Sequence, residues 1–223
     1  MSIADELHEV LADLPEGVRL VAVSKFHPAE AIEEAYAAGQ RVFGESHVQE
    51  LVAKAAVLPK DIEWHFIGHL QTNKVKLLVP FVSLIHAVDS VKLLREIEKQ
   101  AAKVGRKVDC LLELHVAQEE TKYGFSPDEV LNVLADEEVR KLEHVRICGL
   151  MTMATYTEDK TLIRSEFELA RQTFEQVRTL YFMDEPSFCE LSMGMSHDYG
   201  IAVEAGSTLV RVGTKIFGER YYG

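Results

Sequence analysis

Eight short apolar runs rich in β-branched residues are separated by longer stretches with helical spacing, and few architectures accommodate that alternation. VRLVAVSK (residues 18–25) leads into PAEAIEEAYAAG (28–39), a helix with Pro28 at its start and Gly39 at its stop. RVFGES (41–46) leads into HVQELVAKAAVL (47–58), EWHFIGH (63–69) into NKVKLLVPF (73–81), and SLIHAVD (83–89) into SVKLLREIEKQAAKVG (90–105). VDCLLELHV (108–116) then precedes SPDEVLNVLADEEVRKL (126–142), VRICGLMTMA (145–154) a helix from Thr161 to Tyr181, and SFCELSMG (187–194) HDYGIAVEAG (197–206). TLVRVGTKIF (208–217) reads as the eighth strand.

The runs are apolar on both faces, as parallel strands under helices must be, and their crossovers are right-handed. The expected fold is α/β, a single (β/α)8 TIM barrel with an additional amphipathic N-terminal helix in MSIADELHEVLADL. A doubly wound sheet shares the alternation and is the alternative. With 223 residues, 47% of them hydrophobic, and no Pro/Gly-rich linker, one core and one domain over 1–223 are expected.

A net charge of -12 leaves no basic face for nucleic acid. No apolar stretch approaches about 18 residues, which speaks against a membrane span, and the N-terminus lacks the basic start and apolar segment of a signal peptide, so a cytoplasmic location is expected. Cys110, Cys148 and Cys189 each sit in an apolar run and read as reduced, packed thiols.

In a barrel, chemistry collects where strands end and loops begin. Lys25 ends the first strand on the face of Val21 and Val23, so inward-facing valines would put its amine in the barrel mouth, where burial favours the neutral, nucleophilic form. LSMGMSHDYG and VRVGTKIFGER combine hydroxyls, small residues and glycines after strands seven and eight, where barrels most often bind phosphate. Gly194 and Gly213 would equally serve as plain turn residues. Neither segment is a P-loop or a nucleophile elbow, and adjacent Ser196, His197 and Asp198 diverge too far to form a triad. His65 and His69 would lie about 13 Å apart on a strand, too far for one metal ion; His69 is expected to line the pocket and His65 to pack. Arg211, between two valines, needs a partner, for which a barrel carboxylate is one choice. Amine, phosphate loops and strand-embedded arginine together suit pyridoxal 5'-phosphate, PLP.

VAVSKFHP, VFGESHVQEL, WHFIGHLQTNK, GLMTMA and LSMGMSHDYGIAVEAGSTLVRVGTKIFGER cover nearly the whole chain between them. In these stretches it resembles the pyridoxal phosphate homeostasis protein family, whose barrel is related to the N-terminal domain of alanine racemases, PLP fold type III. The resemblance implies that Lys25 forms an internal aldimine, a Schiff base, and that Arg211 faces the pyridine nitrogen. It implies that Ser192, Ser196, Gly213 and Thr214 hold the phosphate, with Met193 near the cofactor. Ser46 and His47 stand where the family shows Asn and Tyr, so a contact from Ser46 to the cofactor departs from the pattern.

Storage, buffering or delivery of PLP is the expected function, with PLP-dependent apo-enzymes as recipients and a monomer or weak dimer as the form. A racemase would need a second acid or base, which alanine racemases take from an additional β-domain that is not expected here; Tyr156, Tyr123 or His69 are the substitutes within reach. An aldolase that attacks a phosphosugar through Lys25 would leave Arg211 without a role.

Overall fold

The computed structural model describes residues 2–118 and 123–219. Strands β1 (Arg19–Val23), β2 (Val42–Glu45), β3 (Glu63–Phe66), β4 (Leu84–Val88), β5 (Val108–Leu114), β6 (Val145–Thr152), β7 (Glu190–Met195) and β8 (Leu209–Val212) pair in chain order. Every pairing is parallel, and β8 returns to β1 with Val21 opposite Arg211, which closes the barrel.

Strand parity divides the core in two. Outward residues such as Phe43, Trp64, Phe66, Ile85 and Leu112 pack under the helices. Inward residues Val21, Leu84, Ala87, Leu111, Cys148, Met151 and Leu209 fill the barrel. At Gly149 on β6 a Cβ would lie 1.7 Å from the Glu190 carbonyl oxygen, so only glycine lets β7 approach.

The helices are α1 (Ile3–Asp13), α2 (Ala29–Ala37), α3 (Val48–Val57), α4 (Val75–Leu78), α5 (Val91–Lys103), α6 (Pro127–Ala135), α7 (Glu137–Arg140), α8 (Lys160–Tyr181), α9 (Tyr199–Glu204) and α10 (Thr214–Phe217). A capping box between Ser2 and Asp5 starts α1, whose Leu7 and Val10 are buried. Among the described residues no helix is long and apolar enough to cross a membrane.

Three boundaries differ from the sequence expectation. The helix expected at 73–81 shrinks to one 3-10 turn (Thr72–Lys74) and α4, because Pro80 cannot continue it. The helix expected at 126–142 breaks at Asp136, whose side chain accepts from the Glu138 N–H and caps α7. The last strand stops at Val212, and Thr214 onward turns into α10. Cys110 and Cys148 are buried as expected, whereas Cys189, at the foot of β7, is exposed.

Candidate functional site

A pocket of about 510 Å3 opens at the C-terminal ends of the strands. Val23 and Lys25 reach it from the end of β1, Met153 and Tyr156 from beyond β6, Met195, Ser196 and His197 from the end of β7, and Arg211, Gly213 and Thr214 from β8. Ser196 ties the last two loops together: its Oγ accepts from the Gly213 N–H at 3.2 Å and lies 3.5 Å from Thr214 Oγ1. Both glycines serve close approach as well as turning. A Cβ on Gly213 would meet the Val23 carbonyl oxygen at 2.9 Å, and one on Gly194, at φ +95°, the Ala202 Cβ at 2.6 Å.

Behind Lys25 lies a cluster of three charges. Lys54 on α3 donates to Glu45 Oε1 at 2.6 Å, to Glu50 Oε1 at 2.7 Å and to the Ser24 carbonyl at 2.8 Å. Two carboxylates share one ammonium, so one negative charge is in excess away from water. It falls on Glu45, which is fully buried and whose Oε2 has no hydrogen-bond partner. Burial pushes Glu45 up to about 7 against the pull of Lys54.

Arg211 is buried among uncharged partners; its Nη1 donates to Ser192 Oγ and its Nη2 to the Thr152 carbonyl at 2.9 Å. The barrel carboxylate considered above as its partner is replaced by this hydroxyl and carbonyl. Burial lowers Arg211 to about 10, opposed by Asp198 and Glu113. Behind Ser192 the contacts continue to His86 Nδ1 (3.0 Å) and from His86 Nε2 to His65 Nδ1 (3.0 Å). Because arginine only donates, Ser192 accepts from it and turns its own proton to His86 Nδ1. His86 then carries its proton on Nε2 and donates to His65. Burial keeps both rings neutral, lowering His65 to about 3 and His86 well below its ordinary value. His65 also lines a cavity at the opposite end of the barrel, so this polar chain runs its full length.

Of the residues singled out from sequence, Lys25, Ser196, Arg211, Gly213 and Thr214 share the pocket wall. Four others do not reach it. Ser192 is buried one step behind Arg211, and its neighbour Met193 takes the opposite parity and packs under the helices. Ser46 Oγ lies 3.3 Å from His47 Nδ1, and His69 pairs with Asp89 at 2.9 Å and stacks on Tyr123. Met195, Tyr156 and His197 also line the wall, with Tyr156 and His197 in edge contact. Strict parity would put Met195 on the face of Met193, and the register shift between Ser192 and Met195 turns it into the pocket instead; nothing in the local sequence points to His86.

The model of the alanine racemase N-terminal domain family matches residues 2–221. A pyridoxal phosphate homeostasis protein from Aquifex aeolicus is 43% identical over 205 residues, covering 92% of this chain and 88% of its own. One from Pongo abelii is 39% identical over 92% of this chain and 77% of its own. PipY from Synechococcus elongatus, solved with PLP bound, superposes with a TM-score of 0.87 at 38% identity over 97% of this chain and all of its own. An alanine racemase from Clostridium difficile shares the fold, with a TM-score of 0.77 at 13% identity over all of this chain and 57% of its own. By family model and by relatives matched along nearly its full length, the chain belongs to the alanine racemase N-terminal domain family and, within it, to the pyridoxal phosphate homeostasis proteins.

Proposed function

We propose that this protein binds PLP and holds it in reserve for PLP-dependent enzymes, a homeostatic role without a dedicated substrate reaction. One observation carries the reading: an amine, a buried guanidinium and a hydroxyl-lined loop pair meet on one pocket wall. PLP supplies an aldehyde that a primary amine captures reversibly and a ring able to withdraw electrons. Lys25 is the primary amine on this wall that would hold the aldehyde. Ser196 and Thr214 would offer hydroxyls to the phosphate on either side of Gly213, which keeps this loop against Val23.

Arg211 would face the ring nitrogen of a bound PLP. Even lowered to about 10, its guanidinium keeps its protons at neutral pH and only donates, so a ring nitrogen held against it would stay unprotonated and the ring a weak electron sink. That favours holding the cofactor over turning over amino acids. Ser192 acts one step back, by fixing Arg211. The curated relatives named for PLP homeostasis and the PLP-bound PipY structure support this function, whereas the likeness to racemases is one of fold. The reading places the reservoir in the cytoplasm, as a monomer or weak dimer that hands PLP to apo-enzymes.

Borohydride reduction of the PLP-loaded protein, followed by peptide mass mapping, tests it. The reading expects one modified residue, Lys25, and no modification in Lys25→Ala. A label on Lys74 or Lys215 instead, or no label in the unmutated protein, would overturn it.

A further inference from the structure

Among the described residues, Phe26 is the only non-glycine with a positive φ, at 66°. A bulky side chain is strained there, and a turn needed only to change direction would be met by glycine without that strain. Phe26 directly follows Lys25. Its N–H donates to Glu50 Oε1 at 2.7 Å, and on the other side of Lys25 the Ser24 hydroxyl donates to Glu45 Oε1 at 2.6 Å while the Ser24 carbonyl accepts from Lys54. One cluster therefore grips the backbone both before and after Lys25. Glu45, Glu50 and Lys54 are all absent from the pocket wall.

We propose that the Glu45–Lys54–Glu50 cluster is a positioning device: it holds Ser24–Phe26 in the strained turn that aims Lys25 into the pocket, and so sets how tightly the lysine captures an aldehyde. Glu50 is the residue on which this turns, because it alone of the three holds the strained N–H. Relaxation of Phe26 to negative φ would rotate the adjoining peptide plane and carry Lys25 off its line. The inference rests on the reading that Lys25 captures PLP.

The test compares PLP with pyridoxine 5'-phosphate, which has the same ring and phosphate but an alcohol in place of the aldehyde, by equilibrium titration. Glu50→Ala should weaken PLP about tenfold, equivalent to about 1.4 kcal/mol, and leave pyridoxine 5'-phosphate within about twofold. Glu50→Gln should bind PLP almost as the unmutated protein does, since its amide oxygen can still accept from Phe26. Phe26→Gly added to Glu50→Ala should restore most of the PLP affinity, because glycine adopts the turn unaided. Equal losses for both ligands, unchanged PLP affinity in Glu50→Ala, or no rescue by glycine would each overturn the proposal. Failure of borohydride to label Lys25 in the unmutated protein would overturn the functional reading and this inference with it.

Discussion

Replacing Glu45 by glutamine removes one titrating group from a site where burial outweighs a neighbouring ammonium. In the folded protein Glu45 holds its proton up to about pH 7, against an ordinary value of 4.5. Between those values the folded state binds the proton and the unfolded state does not, so the contribution is complete below 4.5 and lost as pH rises to about 7. At about 1.36 kcal/mol for each unit of difference, the stability of the unmutated protein relative to Glu45→Gln should fall by about 3 kcal/mol between pH 4.5 and 7. His65, His86 and Glu113 also titrate abnormally, but they are common to both proteins and cancel in the difference. Urea unfolding reports it through Trp64, the single, buried tryptophan. A difference constant to about 0.5 kcal/mol across the range would refute the reasoning. A difference of opposite slope would show that the attraction of Lys54 outweighs burial.

Two further substitutions probe the pocket's supports. Ser192→Ala leaves a donor of Arg211 and the Nδ1 of His86 unpaired inside the barrel, and should cost about 1–3 kcal/mol in urea unfolding and weaken PLP binding; an unchanged midpoint would show that the polar chain contributes nothing. Gly194→Ala forces a Cβ to within 2.9 Å of Tyr199 Cα from a left-handed backbone, so it should displace the Ser196 loop and lower PLP affinity at least about tenfold, read by titration, with the far-ultraviolet circular dichroism retained.

The barrel is legible in the sequence because runs that are apolar on both faces admit few other partners, and strand ends carry their own marks in Lys25, Arg211 and the glycines. What eludes a linear reading is direction and distance. Ser192 and Met193 are neighbours on a strand and cannot face the same side, and strand parity sends one into the barrel and the other under the helices. Ser46 and His69 lie beyond strand ends, where no periodicity sets their aim. The His65–His86–Ser192–Arg211 chain joins four strands, so although Arg211 stands out alone, the link back to the two histidines is not written in any one segment. Glu50 and Lys54 are a visible i,i+4 pair on α3, but their hold on Phe26 and Ser24 spans more than twenty positions and becomes apparent only once β1 and β2 are paired.

The closed sheet has a consequence for abundance. A protein that buffers a small molecule by binding it one to one must accumulate to a concentration comparable to that of the molecule, unlike an enzyme that acts in traces. Crowding at that level exposes any strand with unpaired N–H and C=O groups to pairing with another copy. Here β1 and β8 satisfy each other, so among the described residues the barrel presents no open strand, and a net charge of -12 favours repulsion between copies. The architecture that brings Lys25 and Arg211 to one mouth thus also lets the chain be stockpiled.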